Sequence, residues 1–322
     1  MARRLLIETV LRQRRLDDGR KEFNSALALV RSPGDLEALF LFVPRLFQGT
    51  SRTQMWRSLQ FRVSSALNSE RIADAALHEL SLRIHLALRE YKEYLREFDC
   101  LPPQSGGAGT GERQSLQFVA QRLREPTFPD TRKQKIFGIG LPKTGTSSLV
   151  AALNLFGFTA LHFNNFLTGD LISDDDLMIF DALTDLPVCE EFEKYYDVFP
   201  NSKFIYTRRP VEQWTPSIIK HWNRFLSVSG FDEMKSLSAR PHLFPHGERF
   251  VKLNYSLFLR YESLAAAYHA YDRRVINFFN DKPMNRFLNL DICQGAGWVE
   301  LSPFLEKQAP SIPFPWKNKT TN

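Results

Sequence analysis

The chain has 322 residues, enough for one large domain or two, and 43% hydrophobic with 13% aromatic content is ample for a packed core. Its net charge of +6 suits an anionic small molecule, while the lack of an RNA-type aromatic pattern or of zinc-ligand spacing argues against nucleic acid. The three cysteines, Cys100, Cys189 and Cys293, are far apart and odd in number, which excludes a disulfide framework and a metal knuckle and predicts a reducing, cytoplasmic setting.

The opening stretch is basic but has no sustained apolar segment and no small-residue cleavage site, so no secretory signal is expected. Glu8, Asp17 and Asp18 argue against an organellar presequence. No apolar run approaches the length of a membrane span. Residues 1–100 read as an all-helical domain. Ser32-Pro33-Gly34-Asp35 ends one helix and caps the next, which runs through Leu36, Leu39, Phe40 and Val43 to Pro44. Asn68 or Ser69 is placed to cap a long helix to Phe98, with Ile72, Ala76, Leu80, Ile84, Leu88 and Leu95 on one face. His78 and His85 on this helix read as surface or groove side chains. The domain's basic charge is nearly all arginine. It reads as a solvated bundle face, with a docking surface for an acidic acceptor or partner as the functional option.

Residues 101–112 are rich in Gly and Pro and read as a linker, leaving 113–322 as a second domain. A short helix is expected over Gln114–Arg124. Ile136-Phe137-Gly138-Ile139 then reads as a short buried strand, Gly140 to Thr146 as a tight turn, and Ser147 to Phe156 as a helix ended by Gly157. Strand, Gly-bearing turn and helix together form a cradle for an anion, because free backbone N–H groups and the helix dipole point to one spot. Lys143 adds a full positive charge. Thr144, Thr146, Ser147 and Ser148 add hydroxyl donors, and Gly145 keeps the turn tight.

Further strands are expected over Phe158–Phe163, Ala182–Val188, Lys203–Thr207 and Arg286–Ile292, with an acidic helix or loop over Asp170–Phe180 and a helix over Glu190–Phe199. Strands alternating with helices imply a mostly parallel α/β sheet with right-handed crossovers. The strand ending in Thr207 leads into Arg208-Arg209-Pro210, and Pro210 suits the first turn of a helix. A guanidinium there is well matched to phosphate, since it bonds two oxygens in one plane. Phe225–Arg249, with Pro241 and Pro245, reads as an irregular cover, and Tyr255–Phe279 as one or two amphipathic helices.

The nucleotide-kinase loop pattern needs Lys at position 146, where this chain has Thr146, and its lysine lies three residues earlier inside the loop. The run from Gly140 through Lys143-Thr144-Gly145-Thr146 to Leu149 resembles the 5′-phosphosulfate loop of the sulfotransferase superfamily. That resemblance implies a P-loop-type sheet. It also implies a 3′-phosphoadenosine-5′-phosphosulfate donor, no metal, and transfer of a sulfuryl group to an acceptor hydroxyl or amine. It further implies that Arg209 and Ser217, eight residues apart, hold the donor's 3′-phosphate, with Trp214 where many bacterial members have tryptophan. The family usually has Asn or Asp directly after this arginine, whereas this chain has Pro210, which makes Arg208 a substitute. The tail from Gly297-Trp298 through Pro313-Phe314-Pro315 to Asn318 is similar to that of bacterial sulfotransferases. The resemblance runs from about Lys135 to Asn318 and leaves out the helical start.

The acceptor must lose a proton, so a base is needed opposite Lys143. Asp185, in Asp185-Leu186-Pro187, occupies the position of the catalytic His in the His-Leu-Pro run of cytosolic sulfotransferases. It needs burial or a carboxylate neighbour to raise its pKa. His162, after the second strand, has a suitable ordinary pKa and is the second candidate. Two other functional readings stand beside this one. A P-loop kinase would use Leu177–Asp181 as a magnesium-bearing strand. A non-catalytic nucleotide-binding scaffold would work through its helical domain.

Overall fold

The computed structural model describes residues 16–28, 33–47, 49–69, 75–101, 111–244 and 246–317. The chain forms two compact units. One comprises Met1–Phe128 with Phe166–Asp170 and Arg240–Phe250, and the other comprises Pro129–Asn165, Leu171–Ala239 and Val251–Asn322. No helix among the described residues is long and apolar enough to cross a membrane.

The first unit is helical: α1 (Leu16–Ala28), α2 (Pro33–Phe40), α3 (Val43–Leu46), α4 (Gly49–Ser69), α5 (Ala75–Ala87), α6 (Tyr91–Asp99) and α7 (Gly111–Leu123). Its core gathers Phe23, Phe40, Trp56, Leu59, Leu77 and Ile84, all buried. The helix expected to run unbroken to Phe98 is two helices. Arg89 turns the chain between α5 and α6 with φ +60. Glu90 holds that turn by accepting from Gln60 at 2.9 Å and pairing with His85 at 2.9 Å. Ser69 ends α4 rather than capping a new helix, and 70–74 lie outside the described residues. His78 pairs with Glu97, so both histidines of this region are tied to carboxylates. Most of the expected linker, 102–110, also lies outside the described residues.

The second unit is built on five parallel strands, β1 (Ile136–Gly138), β2 (Ala160–His162), β3 (Ala182–Thr184), β4 (Lys203–Thr207) and β5 (Phe287–Leu290), in the order β2-β3-β1-β4-β5. Its helices are α8 (Thr146–Leu155), α9 (Asp174–Ile179), α10 (Val188–Val198), α11 (Val211–Leu226), α12 (Phe231–Leu237), α14 (Leu264–Phe279) and α15 (Trp298–Leu305), while α13 (Gly247–Asn254) begins in the first unit's last segment. The central strands are buried throughout, and apolar residues fill them as a doubly covered parallel sheet requires. Phe137 stacks on Tyr195 at 5.1 Å and on Phe204 at 5.3 Å, packing α10 onto the sheet. A buried Phe is worth about 1.5–3 kcal/mol, so this aromatic layer is a main source of the unit's cohesion.

The strand order reverses at β1. From β1 the chain crosses to the edge strand β2, returns to β3 beside β1, and then continues on the other side of β1 through β4 and β5. Loops leaving the C-terminal ends of β1 and β4 therefore diverge, and the crevice between them is where such sheets bind ligands.

One sequence expectation is corrected here, and one requirement of the kinase alternative is not met. The stretch 225–249 is largely helical, through the end of α11, α12, a short turn of helix at Pro241–Leu243 and the start of α13. The Leu177–Asp181 run is not a metal-bearing strand. Ser173 and Asp176 form a reciprocal cap that winds 174–179 into α9. Asp181 precedes β3, and its carbonyl accepts from Ile136 N at the start of β1, away from the Lys143 turn.

Candidate active site

The turn after β1 is shaped by close contacts. A Cβ on Gly140 would lie 1.9 Å from Thr207 Oγ1 and 2.6 Å from the Thr207 carbonyl oxygen, so β1 and β4 meet at a point only glycine fits. Thr144, 1% exposed, donates to Leu141 O at 2.7 Å and shares a 2.8 Å bond with Thr207 Oγ1. It braces the turn internally. Lys143 takes φ +73 and Gly145 φ +107, which folds the turn back over the start of α8. No side chain caps α8 at Gly145. Ser148 N donates to Gly145 O at 3.0 Å, whereas the Thr146 and Ser147 amides have no backbone partner among the described residues and are presented to the space beside Lys143.

Burial lowers the Lys143 ammonium below the ordinary lysine range. Asp185 opposes this, and the charges of Arg209 and Arg224 add to it. Cations close enough to disfavour one another make a site that an anion relieves.

The second cationic station follows β4. Arg209 Nη1 donates to Ser217 Oγ at 3.2 Å, joining the strand end to α11 across the eight-residue spacing. Tyr268 on α14 donates to the Arg209 carbonyl at 2.6 Å and fixes that backbone. Arg208 is directed to Asp272, 3.1 Å away, and Asp272 also accepts from Tyr206 at 2.9 Å. The two arginines thus differ: Arg208 has a carboxylate partner and Arg209 a neutral one. Both line a pocket of about 250 Å³ with Tyr268, His269 and Asp291. The Nε atoms of Arg208 and Arg209 are buried there without a hydrogen-bond partner. Buried donors of this kind are costly unless a ligand meets them, so the pocket's chemistry fits a phosphate.

Between the stations, the two candidates for the base are in contact. His162 Nε2, at the end of β2, is 3.2 Å from Asp185 Oδ2 beyond β3. Thr146 Oγ1 lies 3.0 Å from each of these atoms, and Ser147 Oγ lies 3.2 Å from His162 Nε2. Ser148 is not part of this cluster, because its hydroxyl accepts from the Lys317 amide at 3.0 Å. Burial alone would raise the Asp185 carboxyl. The hydrogen bond and charge of His162, the Leu186 amide and the Thr146 hydroxyl outweigh it and hold the carboxyl below the usual carboxylate range.

His221 is a site neighbour that sequence reading missed. It lies four residues after Ser217 on α11, hence on the same helix face. Burial pushes its pKa down to about 4, with the charges of Lys143, His162 and Arg224 adding to the shift and Asp185 opposing it. The i, i+4 spacing from Ser217 was the available signal. The tail motif also has a structural account. Trp298 packs against Phe156 and Phe314 with ring centres 5.0 and 4.8 Å away, and donates to Ile312 O at 2.8 Å. Asn318 lies outside the described residues.

A family model described as the sulfotransferase domain matches residues 135–179 and 172–322, together more than half of the chain and the whole of this site. Comparison with curated proteins finds no match.

Proposed function

The chain belongs to the sulfotransferase domain family, and on that premise we propose that it moves a sulfuryl group from 3′-phosphoadenosine-5′-phosphosulfate to an acceptor hydroxyl or amine. The observation that carries this reading is the pair of cationic stations at the sheet's switch point. Lys143 and the first amides of α8 follow β1, while Arg209 and Ser217 follow the adjacent β4. Two separate stations suit a nucleotide with phosphates at both ends of its ribose better than a linear triphosphate.

In this reading the α8 amides, that of Thr146 among them, Lys143 and the Ser147 hydroxyl surround the 5′-phosphosulfate. Arg209 and Ser217 take the 3′-phosphate. Lys143 neutralises charge as it grows on the bridging oxygen, where a fixed cation in a half-buried site is most effective. The acceptor enters opposite Lys143, beside His162 and Asp185.

Calorimetric titration of the full chain with adenosine 3′,5′-bisphosphate and with adenosine 5′-monophosphate tests this. The bisphosphate should bind at least tenfold more tightly, because it engages both stations. Equal affinity for the two nucleotides would overturn the reading.

A further inference from the structure

The count of protons in the Thr146–His162–Asp185 cluster decides what each group does. Thr146 has one hydroxyl proton and donates it to Asp185 Oδ2 at 3.0 Å. Its oxygen, 3.0 Å from His162 Nε2, is then left as an acceptor in that contact. Asp185 Oδ2, 3.2 Å from the same nitrogen, is an acceptor and cannot donate while the carboxylate is ionised. A bare Nε2 would set its lone pair against both oxygens, whereas an Nε2–H satisfies both. The Ser147 hydroxyl at 3.2 Å is able to rotate to suit. In a neutral imidazole the lone pair then sits on Nδ1. Every side-chain hydrogen bond and the ion pair of His162 run through Nε2, and its side chain is 34% exposed.

Asp185 is placed to stay charged. Its side chain is 6% exposed, and Leu186 N donates to Oδ1 at 2.8 Å while Thr146 and His162 serve Oδ2. A buried carboxylate with this many donors is a poor proton acceptor but an effective anchor for an imidazolium.

Resting on the sulfuryl-transfer reading, we infer that His162 acts as the general base through Nδ1, and that Asp185 is its positioning residue, fixing the Nε2–H tautomer and stabilising the imidazolium. The base thereby moves from the Asp-Leu-Pro position to the end of β2. In the step, a lone pair of the acceptor oxygen forms the new S–O bond. The bond from sulfur to the bridging 5′-phosphate oxygen breaks, and its electron pair leaves with the nucleotide. The acceptor's proton passes to Nδ1. The products are the sulfate ester, adenosine 3′,5′-bisphosphate and an imidazolium, which returns its proton to water.

The charged and titratable groups that act on His162 are Asp185 beyond β3 and His221 on α11, and His221 in turn feels Lys143 on the β1 turn and Arg224 on α11. An NMR titration of the full chain labelled with ¹⁵N-histidine tests the assignment. In the wild type, neutral His162 is expected as the Nε2–H tautomer. Asp185→Asn suits the left-handed backbone at φ +71. It should raise the Nδ1–H fraction of the neutral imidazole, since the carboxylate that accepts from Nε2–H is gone. His162→Gln should lose turnover yet keep its affinity for adenosine 3′,5′-bisphosphate.

An Nδ1–H tautomer in the wild type overturns the proposal, and that observation needs no variant to fold. Full turnover in His162→Gln, with loss in His221→Gln instead, overturns it too. The tautomer is read without turnover. A chain with the expected tautomer and no sulfuryl transfer therefore sinks the donor assignment while upholding the pairing of His162 with Asp185.

Discussion

Trp214 donates its indole Nε1–H to the carbonyl oxygen of Pro142 at 2.8 Å, and its side chain is fully buried. The bond ties α11, which carries Ser217 and His221, to the turn that carries Lys143. It gives a tryptophan at this position a reason that ring packing alone does not. Trp214→Phe keeps an aromatic ring but leaves a buried carbonyl without its donor, at a cost of about 1–3 kcal/mol. Chemical denaturation should show that loss, and calorimetry should show weaker binding of adenosine 3′,5′-bisphosphate as the two stations lose their mutual register. A stability loss with unchanged nucleotide affinity would show that the bond holds the fold and not the site.

Lys143 is half-buried among other cations, so its charge is most useful where negative charge grows. Lys143→Ala is expected to lower kcat by about 10²–10³, the range for removing one preorganised oxyanion donor, with a much smaller change in nucleotide affinity. Single-turnover rates and equilibrium titration on the same preparation separate the two. Near-normal turnover would remove Lys143 from the mechanism.

Arg208 and Arg209 differ in their partners, and that difference predicts which one reads the 3′-phosphate. Arg208 is paired with Asp272, whereas Arg209 meets only the Ser217 hydroxyl. Arg209→Ala should erase the preference for the 3′-phosphorylated nucleotide over its 3′-hydroxyl analogue. A lost charged hydrogen bond costs about 1.5–3 kcal/mol, which is about 10- to 150-fold in affinity. Arg208→Ala should change selectivity less and stability more, because it leaves the Asp272 carboxylate without its cation. The reverse pattern in competition binding would shift the 3′-phosphate role to Arg208.

Much of the site was legible in the sequence because it is built from short-range geometry. Strand, turn and helix around Lys143 are contiguous, and Arg209 reaches Ser217 along one strand end and one helix. His162 and Asp185 were both found as separate candidates, but their contact depends on β2 and β3 being neighbours, which no spacing rule supplies. His221 was missed for the same kind of reason. Its face on α11 has meaning only once that helix is docked against the Lys143 turn. The unbroken helix expected through Leu88 failed because apolar periodicity continues across Arg89, while the turn there is held by Glu90's contacts with Gln60 and His85. The acidic helix or loop expected over Asp170–Phe180 left the choice open, and a cap at Ser173 decided for helix, so the strand that the kinase alternative required does not form.

Gly140 offers a test of the strand junction that is independent of chemistry. Any side chain there meets Thr207 at its hydroxyl and at its backbone. Gly140→Ala should cost at least about 1–3 kcal/mol, the usual range for overpacking, since a backbone oxygen has no rotamer to escape into. It should also disturb the Thr144–Thr207 bond that shapes the turn, and so weaken nucleotide binding. Wild-type stability in this variant would mean that β1 and β4 are not held this close.

The pH dependence of stability carries a share from each of two buried histidines, His221 and His246, and a variant isolates the first. Its ordinary pKa of 6.5 falls to about 4 in the folded chain, chiefly through burial and secondarily through Lys143. Between these values the unfolded chain binds a proton that the folded chain refuses, so stability falls as pH drops from about 6.5 to about 4. Asp185 acts in a lower window. Its folded pKa lies below the ordinary 3.8, so the stability it contributes is lost only as pH falls beneath that value. His221→Gln should therefore flatten the decline between pH 6.5 and 4 while leaving the more acidic loss in place. Urea midpoints for both proteins at half-unit pH steps measure this. If the wild type and His221→Gln decline in parallel across the window, then His221 accepts a proton as readily folded as unfolded, and it is not packed against the cations of the site.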